Sequence, residues 1–266
     1  MTDHDADAPT TPADLFSVRG KTVMITGGTS GIGRMIAGGF VAAGAEVIVA
    51  SRKADACEET VSDLSRFGQI SAIPADLSSE DGAKALADAV AADHDRVHVL
   101  INNAGATWGA PLVEHDAASW DRVLNLNVQG VFHTTKFFLP MLEAASDPED
   151  PARIINIGSI DGLRSPILET YSYSASKAAV HHLTRHLAKN LAPRITVNAV
   201  SPGPFQSKMM RATLAAAGDA IANATPMKRI GRDDDMAGTA IFLASRAGSY
   251  LTGAVIPVDG GMFTTA

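Results

Sequence analysis

Short apolar, β-branched runs alternate along this chain with longer stretches whose apolar residues return every three or four positions. Lys21–Thr26, Glu46–Ala50, Gln69–Ile73, Val97–Ile101 and Arg153–Ile157 have the length and continuity of strands buried on both faces. Between them the period changes to that of a helix. One such stretch runs through Ile36, Phe40 and Val41, a second from about Asp55 to Phe67, and a third opens at Ser78 with Asp81 where a capping box places its acid. A long fourth runs from about Ala118 through Val123, Val128 and Phe132 to Leu142. Strands alternating with helices of this length predict an α/β fold, a doubly wound parallel sheet between two helix layers, three layers in one domain over residues 15–266. Ligands of such a sheet gather at the C-terminal ends of its strands.

The residues at those ends are therefore the first place to look for chemistry. After Thr26 come Gly27-Gly28-Thr29-Ser30-Gly31-Ile32-Gly33, a strand–glycine loop–helix passage. There backbone N–H groups can approach a pyrophosphate and the positive helix end can hold its charge; a turn that binds nothing is the competing reading. The second strand ends on Ser51-Arg52-Lys53, where a carboxylate for an adenosine ribose would stand in an NAD site. A guanidinium there suits a 2′-phosphate instead, so NADPH/NADP+ is the expected cofactor, with a merely solvated Arg52 as the alternative.

Tyr173 is the one tyrosine with a lysine, Lys177, four residues on. On a helix that spacing stacks phenol and ammonium on one face, and a fixed positive charge favours the phenolate. The pair thus reads as a proton-transfer site whose tyrosine pKa is lowered by Lys177. Two asparagines, Asn125 and Asn127, interrupt the long helix, where asparagine is a mediocre former and a polar task would explain it. Gly158-Ser159 closes the fifth strand.

Composition narrows the class. A net charge of −7 over 266 residues argues against a nucleic-acid surface and lends nothing to anionic membranes. One cysteine, Cys57, excludes an internal disulfide and a thiolate metal site, and suits a reducing compartment. Residues 1–14 are acidic, without the basic start and apolar segment of a secretory signal, and read as a disordered tail. No apolar run is long enough to span a bilayer, so a cytoplasmic protein is expected.

Taken together, Thr26 to Gly33, Asp76, Asn102-Asn103-Ala104-Gly105, Asn127, Ser159, Tyr173 with Lys177, Asn198 to Gly203 and Asp259-Gly260-Gly261 resemble the short-chain dehydrogenase/reductases from about Arg19 to Met262. Within them the chain is most similar to 3-oxoacyl-(acyl-carrier-protein) reductases, in particular a branch linked to rhamnolipid synthesis, through Ala75–Glu80, Asn102–Gly109, Asn156–Ser159 and Pro202–Phe205. The resemblance implies a Rossmann-type fold and a catalytic set of Asn127, Ser159, Tyr173 and Lys177. In that set the tyrosine protonates the alkoxide, Ser159 orients the carbonyl, Lys177 holds the nicotinamide ribose and Asn127 anchors a water. It implies cofactor contacts from Gly27, Thr29, Ser30, Gly31, Ile32 and Gly33, and from Asp76 and Leu77 beside the adenine. Asn102, Asn103, Ala104 and Gly105 would line its path, and Pro202, Gly203 and Ser207 would follow. For Asp76 a helix cap, and for Leu77 a core leucine, is the bland alternative. No metal is required.

A 3-oxoacyl thioester is the implied substrate; a sugar, polyol, steroid or xenobiotic alcohol, or a non-catalytic NADPH-binding regulator, are the alternatives. Trp108, Leu163, Phe205 and Met209 are candidate substrate contacts, Phe205 and Met209 belonging to an apolar flap after Gly203, though packing or a subunit contact would explain each as well. Relatives assemble as homotetramers or homodimers. Gly158 departs from the serine of many relatives, Ser207 replaces a threonine, and the stretch from Ser159 to Tyr173 is about a residue longer. His181, His182 and His186 suggest a metal pair at i, i+4, but no acidic third ligand adjoins them, so packing is expected. Asp233-Asp234-Asp235 reads as the acidic start of a helix. Arg185, Lys189 and Arg194 read as a solvated face rather than a carrier-docking patch.

Overall fold

A computed structural model describes residues 10–207 and 210–265. The elements run α1 (Pro12–Leu15), β1 (Thr22–Thr26), α2 (Gly31–Ala42), β2 (Glu46–Ser51), α3 (Ala54–Leu64), β3 (Ile70–Pro74), α4 (Glu80–Ala91), β4 (Val99–Asn102), α5 (Ala117–Leu124), α6 (Gly130–Ala145), β5 (Ala152–Ile157), α7 (Tyr171–Leu191), β6 (Ile195–Pro202), α8 (Arg211–Ala224), α9 (Asp233–Ala244) and β7 (Val255–Val258). All seven strands are parallel, in the order β3-β2-β1-β4-β5-β6-β7. This is the doubly wound, three-layer sheet that the alternation of periods predicts. The order reverses between β1 and β4, and the crevice for a ligand opens there.

The two faces of the sheet bury separate apolar layers. On one, Ile25, Val49, Ile101 and Val200 pack against Ile36 and Phe40 of α2 and Met236 and Leu243 of α9. On the other, Met24, Ile48, Leu100 and Ile154 meet Leu86 of α4 and Phe138 and Leu142 of α6. Fully covering one such side chain contributes roughly 1.5–3 kcal/mol, so these layers hold the strand ends in register. Leu77 is 5% exposed within the second layer, so its place is that of a core leucine.

Local chemistry moves several boundaries. Thr11 accepts a hydrogen bond from Asp14 N, and Pro12 stands in the first turn, so the end of the stretch expected to be a tail forms α1 instead. Residues 1–9 of that expected tail lie outside the described residues. Asp76 Oδ1 accepts from Ser78 N at 3.0 Å, which holds Ser78 in a turn and passes the helix cap to Ser79, whose Oγ accepts from Gly82 N at 3.2 Å. The long helix is continuous but not regular. Residues Asn125–Gln129 form a π-helical turn between α5 and α6, so the two asparagines mark an insertion in the ladder rather than an ordinary turn.

Candidate active site

At the β1–β4 crevice the chain approaches itself closely. Gly27 and Gly31 have φ of +65° and +51°, a region that glycine enters without strain. Asn103 fastens this loop: its N–H donates to Thr26 Oγ1 at 2.9 Å, and its Nδ2 donates to the carbonyls of Thr26 and Gly27 at 2.9 and 3.1 Å. Ser30 is the N-cap of α2 without a capping hydrogen bond from its side chain, and the first turn holds no acid. N–H groups at a helix start with neither cap nor carboxylate suit an anion. Ser207 faces the same loop, since a Cβ at Gly31 would lie 3.0 Å from Ser207 Cβ. Gly203 is pressed against the closing turn, where Asp259 accepts from the N–H groups of Gly261 and Phe263 at 2.9 and 2.6 Å.

At the end of β2, Ser51 is half-buried while Arg52 and Lys53 are exposed. Across the β2–β3 edge stands Asp76, held below the usual carboxylate range first by the N–H of Ser78 and in smaller part by the charge of Arg52. The donor set of this corner, two exposed cations and a hydroxyl, is that of a phosphate site. The residues therefore fit a phosphorylated dinucleotide.

The candidate proton-transfer pair, Tyr173 and Lys177, lies on the other side of β4. Tyr173 and Lys177 share one face of α7, with Lys177 Nζ 5.7 Å from the phenol ring centre. Lys177 is 5% exposed, and its Nζ donates to the carbonyl of Ile157 at 2.7 Å. Burial pushes its ammonium down to about 8. Ser159 caps a short turn by accepting from Asp161 N at 3.1 Å, and its side chain works to lower the Tyr173 phenol. The expectation that Lys177 brings the phenol down does not hold for the protein alone. Burial pushes Tyr173 up to about 12, Ser159 opposes it, and the carboxylate of Asp161 adds to the rise. Desolvation of the phenolate is the largest of these causes.

Asn127, 1% exposed in the π-turn, binds both sides of this centre. Its Oδ1 accepts from Ala106 N at 2.8 Å, and its Nδ2 donates to Ala106 O and to Ser176 Oγ, both at 2.9 Å. A Cβ at Gly105 would come within 3.2 Å of Asn127 Oδ1 and 3.7 Å of Lys177 Nζ, so the 104–106 segment runs between them. Asn102 is placed differently from expectation. Its Nδ2 donates to Thr135 Oγ1 and Asn156 Oδ1 at 3.1 and 2.9 Å, and Asn156 continues to Thr184 at 2.9 Å, a buried ladder that leaves the cofactor path to Ala104 and Gly105.

The substrate candidates separate. Phe205 is 2% exposed, packs in the core with its ring against Gly231, and so is a core residue rather than part of an open flap. Met209 lies outside the described residues. Trp108 is 38% exposed with the Arg122 guanidinium 5.9 Å from its ring. Leu163 lines a cleft of about 500 Å³ between the 161–168 segment and Tyr171, Ser174 and Ala178 of α7. His181 is buried while His182 and His186 are exposed, so the three do not meet. Among the described residues no group of three His, Cys, Asp or Glu could hold a metal ion, and no helix is long and apolar enough to cross a membrane. Sequence reasoning missed Asp161, whose carboxylate adds to the rise of the Tyr173 phenol through a folded contact that no local spacing displays; His181 is buried, as the packing expectation has it.

A family model described as enoyl-(acyl carrier protein) reductase matches residues 27–263. The rhamnolipids biosynthesis 3-oxoacyl-(acyl-carrier-protein) reductase of Pseudomonas aeruginosa is 47% identical over 92% of this chain and 97% of its own. The chain belongs to the short-chain dehydrogenase/reductase family. It is an oxidoreductase of that family, and similarity extends to the 7alpha-hydroxysteroid dehydrogenase of Escherichia coli, 33% identical over 94% of this chain and 96% of that one. Among solved structures, the Pseudomonas aeruginosa RhlG/NADP active-site complex superposes with a TM-score of 0.91 at 46% identity, covering 94% of this chain and 99% of that one.

Proposed function

We propose that the chain is an NADPH-dependent ketoreductase acting on a 3-oxoacyl thioester, with Tyr173 as its acid and Ser159, Lys177 and Asn127 as its partners. The observation that carries this reading is the meeting of Ser159, Tyr173 and Lys177 beside β4, across the crevice from a glycine loop and the acid-free Ser51-Arg52-Lys53 corner. The rhamnolipid-pathway relative, named as a 3-oxoacyl-(acyl-carrier-protein) reductase, and the NADP of the superposed complex support the substrate and cofactor.

NADPH, when bound, supplies the hydride. The chain's own residues do the rest. The first turn of α2 and the N–H groups of Gly31 to Gly33 would hold the pyrophosphate, and Arg52 would pair with the 2′-phosphate. Ser159 donates a hydrogen bond to the carbonyl oxygen and fixes its distance from the phenol. Tyr173 gives its proton to the oxygen as negative charge develops there. A phenol held near 12 stays protonated at neutral pH, yet it is a far stronger acid than the alcohol it forms, so the transfer runs downhill. Lys177, charged below about 8, stabilises the phenolate left behind. We further place the protein in the cytoplasm as a homotetramer or homodimer; Val113 and Tyr250, 91% and 101% exposed, are apolar positions that a second subunit would cover.

The test is oxidation of NADPH, beside NADH, with acetoacetyl-CoA and a longer 3-oxoacyl thioester, with Tyr173→Phe as the blank. Turnover with NADPH that vanishes in the blank supports the reading. Full activity of Tyr173→Phe removes the mechanism, and tight NADPH binding without thioester turnover moves the substrate to an alcohol or another ketone.

A further inference from the structure

His181 sits two turns beyond Tyr173 and one beyond Lys177 on the same face of α7, and it is 3% exposed. Its Nε2 lies 2.8 Å from Ser201 Oγ at the end of β6. The ring fills the space beneath the turn that carries Ser159. On one side is Gly158: a Cβ there would fall closer to His181 Nε2 than any real carbon approaches, and 2.8 and 3.0 Å from His181 Cδ2 and Ser201 Oγ. On the other side is Gly162, where a Cβ would lie 2.9 Å from His181 Cε1 and 2.6 Å from the backbone carbon of Lys177. The two glycines bracket the turn. Gly158 N donates to Val200 O at 2.7 Å, and Gly162 N donates to Ser159 O at 3.0 Å, so the backbone on both sides of Ser159 is pinned where the imidazole meets it.

From this geometry we infer that His181 is a positioning residue for the reduction: its ring, anchored on Ser201, holds the Gly158–Gly162 turn and so sets the Ser159 hydroxyl against Tyr173. It also accounts for glycine at 158, because imidazole and a 158 side chain claim one volume. Burial holds the ring neutral, down to about 4, so it supports the turn without adding a charge behind Lys177.

The inference rests on Ser159 and Tyr173 being the reacting pair, which the Tyr173→Phe blank tests separately. The test compares wild type, His181→Ala, His181→Gln, Gly158→Ser and the His181→Ala/Gly158→Ser double variant, each assayed for NADPH binding by fluorescence and for kcat and KM with acetoacetyl-CoA. His181→Ala should lower kcat by roughly tenfold or more, the scale of a misplacement of about an ångström, while NADPH affinity and ketone KM stay within about twofold. His181→Gln, which keeps a hydrogen bond to Ser201, should recover most of that loss. Gly158→Ser should cost at least about tenfold in the wild type and no more than about twofold in the His181→Ala background, a coupling that only shared space produces. Equal cost of Gly158→Ser in both backgrounds, or wild-type kcat in His181→Ala, would overturn the inference. If His181→Ala does not bind NADPH, the comparison is made in the His181→Gln background, where a smaller cost of Gly158→Ser than in wild type supports the proposal and an equal cost ends it.

Discussion

Lys177 is buried against its own chemistry, and replacing it by methionine should make the protein more stable as it makes it inactive. Burial lowers the ammonium from 10.5 to about 8. At about 1.4 kcal/mol per pH unit, holding the charged form inside costs about 3 kcal/mol. The sign follows from linkage. A folded-state pKa below the unfolded one means a penalty that is fully present below about 8, fades as the folded protein releases its proton between about 8 and 10.5, and is gone above. Methionine has a similar length and no charge, so Lys177→Met removes the penalty. It also removes the bond to Ile157 O, which offsets about 1 kcal/mol. The net gain at pH 6.5 is then about 2 kcal/mol, a rise of roughly 4–8 °C in Tm for a domain of this size. At pH 9.5 more than half of the penalty has faded, and the gain should fall to about 0.4 kcal/mol. Denaturant melts of both proteins at the two pH values measure this. A Lys177→Met protein less stable than wild type at pH 6.5, or a difference that does not change with pH, would refute the argument.

Arg52→Ala should raise the KM for NADPH by roughly 10- to 30-fold and leave NADH nearly unchanged, since an exposed charge-assisted phosphate contact is worth about 1.5–2 kcal/mol; the difference should shrink at high salt, and equal changes for both cofactors would remove the basis for NADPH. Asp161→Asn should bring the Tyr173 phenol down, because the carboxylate helps to raise it, so the alcohol-oxidation rate should begin its rise at lower pH than in wild type; an unmoved profile would show that Asp161 does not reach the phenol. Arg153 is 1% exposed and bonded to Asp150 Oδ1 at 2.8 Å and Ser245 O at 3.1 Å. Asp150→Asn should therefore cost up to about 3 kcal/mol by chemical melting, whereas Arg153→Met should cost less or stabilise.

What the chain order displays and what it conceals divide along physical lines. Strands buried on both faces, a glycine loop and a tyrosine–lysine pair at i, i+4 are local patterns, and each falls in place because the constraint and the residues that meet it are neighbours in sequence. The cap at Ser79 moved by one residue because Asp76, three positions back, captures the N–H of Ser78. Phe205 read as a flap residue because it follows a Pro-Gly turn among methionines; its burial is decided by Gly231, twenty-six positions on. Charge is the property least open to sequence reasoning. Burial raises the Tyr173 phenol and lowers the Lys177 ammonium, and that desolvation is set by the folded surroundings rather than by the i, i+4 spacing. The departure at Gly158 is instructive for the same reason. Read along the chain it is a missing hydroxyl; in the fold it is the vacant side of a space that His181 fills, so the two positions are one choice made twenty-three residues apart.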